Sequence, residues 1–152
     1  FAEAKTLDGG EGDDTIVSSS RSKKILGGDG NDLIFAGLGN DKLFGGNGKD
    51  TFIFSHTDEA VDKIRDFEVK KDKIDFSPGD DFNVLGAAVE ATEFLVGTGA
   101  ATADQHIIYD DASGRLYFDV DGSGAEQQVL LARLDKGLKL TAGNFTAEDF
   151  FA

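Results

Sequence analysis

Between residues 9 and 53 the chain keeps a nine-residue clock, dividing without remainder into GGEGDDTIV, SSSRSKKIL, GGDGNDLIF, AGLGNDKLF and GGNGKDTFI. The eighth position of each unit is apolar (Ile16, Ile25, Ile34, Leu43 and Phe52), and nine residues before Ile16 stands Leu7. Each nonad joins a glycine-rich six-residue loop, which needs unusual backbone angles, to an apolar stretch of three residues that is too short for a helix and therefore a strand. Stacked units of one strand and one turn bury the eighth-position side chains as a ladder in a parallel β-solenoid with coils roughly 4.8 Å apart. Two nonads make a coil, so loops eighteen residues apart lie over each other on one edge. The second nonad has lost its glycines and its aspartate but keeps its length and Ile25, so it reads as a degenerate repeat. A flexible linker would keep neither a fixed apolar period nor an aspartate at a fixed phase.

The same geometry stacks Asp14 beside Asp32 and Asp32 beside Asp50. Two carboxylates ~5 Å apart repel by about 3 kcal/mol at an effective dielectric near 20, and the glycine loops must be ordered as well. A hard divalent cation held by oxygen ligands removes that repulsion. Calcium, which takes 6 to 8 oxygens from carboxylates and carbonyls, fits such loops best. Composition agrees: 29 acidic against 15 basic residues give a formal charge of −14, which favours cations and disfavours nucleic acid and anionic membrane surfaces as partners.

The nonads resemble the RTX repeat G-G-x-G-x-D-x-U-x, three in full and AGLGNDKLF nearly so. The resemblance implies an all-β fold, a parallel β-roll followed by an antiparallel β cap, with calcium as cofactor. It also implies ligand sets that spacing alone does not give. In RTX rolls each ion is shared by loop positions two, four and six of one coil and one, three and six of the next. One site would then comprise Gly10, Gly12 and Asp14 with Gly27, Asp29 and Asp32, and a second Gly28, Gly30 and Asp32 with Gly45, Asn47 and Asp50. On the opposite edge Gly37, Gly39 and Asp41 face Lys23 on one side, which cannot ligate calcium, and FSHTDEAVD on the other, where Asp58 or Asp62 could close a third site.

From about residue 63 the clock stops and short apolar runs alternate with turn residues. The expected organisation is a calcium-binding roll over 1–62 and a β-rich cap over 63–152, the cap shielding the last coil from edge-to-edge association. The stretches DKIRDF, DKIDFS and GRLYFDVDGSGAEQQVLLARL resemble the region after the repeats in serralysin-like proteases. DVDGSG looks like the start of an EF-hand loop, but its twelfth position is Leu130 and no helix flanks it, so it reads as a hairpin turn between strands. The ending Glu148-Asp149-Phe150-Phe151-Ala152 resembles the carboxy-terminal signal of type I secretion. The RTX resemblance therefore implies an extracellular, secreted protein of a Gram-negative bacterium, recognised by a type I ABC transporter and monomeric. With Phe1 first and no methionine, the chain reads as a piece of something longer, its passenger unseen.

No catalytic chemistry is expected. His56 and His106 lie outside any H-E-x-x-H, and there is no G-x-S-x-G, Walker A or G-x-G-x-x-G motif. The chain lacks cysteine, and no apolar run reaches the ~20 residues of a membrane span. The competing function is a polysaccharide- or cell-surface-binding module similar to the R-modules of alginate epimerases. A basic or aromatic stripe on one face would mark it, and Lys23, Lys24, Lys42 and Lys49 are the candidates.

Overall fold

A computed structural model describes residues 5–19, 22–57, 60–77, 81–86 and 88–150. The repeats form β1 (Thr6–Glu11), β2 (Thr15–Val17), β3 (Lys24–Asp29), β4 (Leu33–Phe35), β5 (Lys42–Asn47) and β6 (Thr51–Phe54). Odd strands stack in one parallel sheet, A, and even strands in another, B. Leu7 pairs with Ile25 and Ile25 with Leu43, while Ile16 pairs with Ile34 and Ile34 with Phe52, each step eighteen residues. Two nonads therefore make one coil, and the eighth-position residues point into the space between the sheets. Ile25, Ile34, Leu43 and Phe52 are fully buried there, each worth roughly 1.5–3 kcal/mol relative to exposure.

The odd strands are longer than the three residues expected. They run on through the glycine pair, because Gly10, Gly28 and Gly46 pair in register across β1, β3 and β5. Parallel stacking also continues past the last nonad. β7 (Asp62–Ile64) follows β5 with Leu43 opposite Ile64, and β8 (Lys73–Phe76) follows β6 with Phe52 opposite Ile74. These steps are 21 and 22 residues, so the final coil keeps its strands in register while its loops lengthen.

The cap is built from β9 (Phe94–Val96), β10 (Ile107–Asp110), β11 (Arg115–Phe118), β12 (Val129–Arg133) and β13 (Phe145–Thr146). Its antiparallel part is the β10–β11–β12 meander, and β12 joins β7 in parallel so that sheet A runs on without a break. β13, entered through a single 3-10 turn at Ala142–Asn144, closes sheet B against β8. β11 and β12 do pair as a hairpin, but residues 119–128 make a longer connection than a tight turn. The end of the roll is plugged by phenylalanines. The rings of Phe76 and Phe82 lie 5.2 Å apart, Phe82 meets Phe118 edge-on at 4.8 Å, and Phe94 meets Phe145 at 5.1 Å. Among the described residues there is no α-helix, and no helix is long and apolar enough to cross a membrane.

Candidate metal centre

The glycines at loop positions two and four adopt backbone angles closed to other residues: φ is 100° and 105° at Gly10 and Gly12, 115° and 138° at Gly28 and Gly30, and 96° and 132° at Gly46 and Gly48. The chain can then turn tightly enough to bring the sixth-position aspartate back under the preceding coil. The Asp14 N–H donates to Asp32 Oδ1 at 2.8 Å, the Asp32 N–H to Asp50 Oδ1 at 3.0 Å, and the Asp50 N–H to Asp72 Oδ1 at 3.0 Å. One oxygen each of Asp32, Asp50 and Asp72 is thus committed to the backbone one coil before.

The other oxygen defines the site. Oδ2 of Asp14, Asp32 and Asp50 is buried without a hydrogen-bond partner, although Asp32 and Asp50 are only 0% and 1% exposed. A buried, unpartnered carboxylate oxygen is costly and calls for a cation. Each Oδ2 turns toward the first glycine of its own loop, and for Asp14 and Asp32 a carbonyl of the next coil comes to the same place. A Cβ at Gly9 would lie 2.6 Å from Asp14 Oδ2 and 2.5 Å from the Gly27 carbonyl oxygen, and a Cβ at Gly27 would meet both Asp32 Oδ2 and the Gly45 carbonyl. These close approaches put Asp14 Oδ2 near the Gly27 carbonyl and Asp32 Oδ2 near the Gly45 carbonyl. The carbonyls of Asp29 and Asn47 accept the Gly12 and Gly30 N–H groups at 2.6 and 2.8 Å, leaving a second lone pair on each. Among the described residues no three His, Cys, Asp or Glu side chains gather into a metal site. A cation held here must draw much of its shell from backbone carbonyls, which suits calcium.

No ion pair among the described residues neutralises Asp14, Asp32 or Asp50. Burial pushes the Asp50 carboxyl up to about 6; the Asp32 N–H opposes this, while the carboxylates of Asp72, Asp32 and Asp66 reinforce it. Asp32 is raised by burial and by Asp14 and Asp13, against the Asp14 N–H.

On the opposite edge the same bond recurs: the Lys23 N–H donates to Asp41 Oδ1 at 2.5 Å and the Asp41 N–H to Asp62 Oδ1 at 2.8 Å. Gly37 and Gly39 have φ of 71° and 116°. Asp62 therefore takes the sixth-position place one coil beyond Asp41, and Lys23 takes it one coil before. Asp58 lies outside the described residues.

Asp66 and Asp72 were not found from the repeats. Asp72 is the sixth-position residue of the coil after Asp50, but it stands 22 residues on, where a count in nines misses it. Its Oδ2 accepts the Glu68 N–H at 2.7 Å, and the two oxygens of Asp66 accept the Gly45 and Gly46 N–H groups, both at 2.9 Å. Unlike Asp14, Asp32 and Asp50, these two are satisfied by backbone donors. Of the enzymatic candidates, His106 is buried with Nδ1 2.7 Å from the Asp119 carbonyl oxygen, a packing role.

A solenoid whose stacked loops present buried carboxylate oxygens and backbone carbonyls to a cation is a calcium-type β-roll. Residues 6–20 and 24–53 match the RTX calcium-binding nonapeptide repeat in four copies, and this stretch of the chain is an RTX repeat region whose ion is calcium. Comparison with curated proteins finds no match. Among solved structures the chain is similar to the solution structure of the AlgE6R3 subunit from the Azotobacter vinelandii mannuronan C5-epimerase, with 25% sequence identity over 99% of this chain and 87% of that one and a TM-score of 0.31.

Two outcomes are expected. Asp32 contributes to both ligand sets and Asp14 to one, so calorimetric titration should show Asp32→Ala losing more bound calcium than Asp14→Ala. Lys23→Ala should lower stability without losing an ion; equal losses for the two aspartates would overturn the shared-carboxylate geometry. The second concerns pH. The calcium-free roll holds the Asp50 proton up to about pH 6, whereas an ordinary carboxyl releases it near 3.8. Protonation thus favours the roll below pH 3.8, and that stability is lost as pH rises through about 6. In chelator, β-structure measured by circular dichroism should increase as pH falls from 7 toward 4.5, and Asp50→Asn should reproduce part of the gain at pH 7.

Proposed function

We propose that the chain is a calcium-triggered folding and export module, a calcium-binding roll followed by a β-rich cap, serving an amino-terminal passenger. The observation carrying this reading is the row of buried, unpartnered Oδ2 atoms on Asp14, Asp32 and Asp50. At low calcium these carboxylates repel in a chain of formal charge −14, and the chain stays unfolded and threadable. Outside the cell, calcium near the ~0.1 to 1 mM range of extracellular modules drives folding. Asp41 with Asp62 closes a third site on the second edge. The acidic-then-apolar carboxy terminus serves as the type I secretion signal, which fits a Gram-negative source, an extracellular destination and no catalytic role for this part of its parent.

Circular dichroism should show a largely unfolded chain in chelator at pH 7 and a cooperative gain of β-structure with calcium, magnesium being a poor substitute because its small octahedral shell suits these loops badly. A β spectrum of native strength in chelator would sink the reading. Removing Asp149 to Ala152 should leave calcium folding intact and abolish secretion through a type I apparatus.

One observation favours a second reading, binding of an acidic polysaccharide. On the outer face of sheet A, Lys24 pairs with Lys42, Lys42 with Lys63, Lys63 with Arg133 and Arg133 with Arg115. Five cations stand on one rung across five strands, about 19 Å at the usual strand spacing. Like charges directly opposite on a sheet are unfavourable, and among the described residues no ion pair offsets Lys24, Lys42, Lys63 or Arg133. Phe44 lies on the same face with the Lys24 ammonium 5.4 Å from its ring centre, adding a flat apolar platform for a sugar ring. Lys23 and Lys49 sit on the loops instead. The calcium-loaded chain should bind oligouronates and not neutral oligosaccharides, with affinity falling steeply in salt. The Lys42→Glu/Lys63→Glu variant should lose that binding at unchanged calcium stoichiometry; undiminished binding would remove the stripe from consideration.

A further inference from the structure

The outer face of sheet B carries an aspartate that has no reason to be buried by its own strand. On β8, Ile74 and Phe76 point into the core and Asp75 points out, yet Asp75 is 0% exposed. Its rung runs Val17, Phe35, Ile53, Asp75, Thr146 across β2, β4, β6, β8 and β13. Phe35 and Ile53 are buried too, while Val17 is 58% exposed. Something therefore covers the outer face from β8 to β4 and stops short of β2.

At both ends of that stretch the carboxy-terminal segment contributes to the cover. After β13, Ala147 is buried, and Asp75 Oδ2 accepts both the Thr146 hydroxyl and, at 2.9 Å, the Glu148 N–H. The ring of Phe150 then meets that of Phe35 edge-on with centroids 6.2 Å apart. From Glu148 to Phe150 an extended chain advances about 7 Å, and the ring reaches the rest of the ~10 Å between β8 and β4. The carboxy-terminal segment thus lies across strands of three successive coils and holds them by a carboxylate at one end and an aromatic contact at the other.

We propose that residues 147–150 are a calcium-set strap: their seat exists only when β4, β6 and β8 are stacked, so the carboxy terminus is open to a binding partner before calcium loading and covered after it. The proposal rests on the calcium-folding reading above. It makes capture of the terminus and completion of the fold mutually exclusive, so a partner that reads an extended acidic-apolar terminus acts on the unfolded chain and is released by folding.

Amide hydrogen exchange by NMR on the full chain separates the two readings. The Ser77 N–H, bonded to the Phe54 carbonyl, reports the stacked coils, and the Glu148 N–H reports the strap. In calcium both amides should exchange more than ~100-fold slower than in chelator. Phe35→Ala and Asp75→Ala should each return Glu148 most of the way to the chelator rate with Ser77 still protected in at least one of them. Carboxypeptidase should trim past Phe150 in chelator, stall there in calcium, and resume in that variant. Ser77 unprotected in calcium would defeat the folding reading itself. With Ser77 protected, a Glu148 amide that exchanges freely, or one that stays protected in both variants, would overturn the strap alone.

Discussion

The fold rests on a hydrogen bond repeated once per coil on each edge, from the backbone N–H of a sixth-position residue to the carboxylate of the residue in the same place one coil later. Asp14, Asp32 and Asp50 take part on one edge, Lys23, Asp41 and Asp62 on the other. The bond sets the rise and register of the stack, and it fixes one carboxylate oxygen so that the second must turn inward. A neutral side chain could make the bond without the inward charge, but it would offer a cation nothing. The interaction that defines the coil therefore also creates an electrostatic liability that, near neutral pH, calls for a bound cation, and stacking and metal binding cannot be tuned independently.

Glycine has a matching double duty. At positions two and four it supplies positive φ, and at position one it leaves room for a carboxylate oxygen and a carbonyl that a methyl group would displace, as at Gly9. The degenerate nonad, with Ser18, Ser19 and Arg21 in the three glycine positions, keeps its strand but presents Lys23 in place of an aspartate. Ile25 still fills its rung of the core, so the coil survives the loss of its loop chemistry.

What was legible in the sequence is what obeys a period. The apolar ladder from Leu7 to Phe52, the eighteen-residue coil and the stacking of Asp14, Asp32 and Asp50 all follow from counting. Asp72 and Asp66 escaped because the last coil lengthens to 21 and 22 residues while its strands stay in register. Of the basic rung, Lys24 and Lys42 are a coil apart and visible, whereas Lys63, Arg133 and Arg115 are aligned only by pairings within the cap. Asp75 was hidden for a different reason: in KIDF it reads as the outward polar residue of an alternating strand, and its burial comes from residues about 70 positions away.

Loop closure is distributed very unevenly along this chain. Every pairing within the repeats joins residues eighteen apart, a short closure with a modest entropy cost that can be repeated coil by coil. The end of the roll is different: β13 reaches β8 with Phe145 opposite Ile74, and β12 reaches β7 with Ala132 opposite Asp62, separations of 71 and 70 residues. The coils can zip early and locally, but the plug that seals them is contributed by the last residues of the sequence. A chain still emerging from a narrow passage amino terminus first would hold a nearly complete solenoid with an open final edge, whereas one emerging carboxy terminus first would have its plug waiting before the first coil could form.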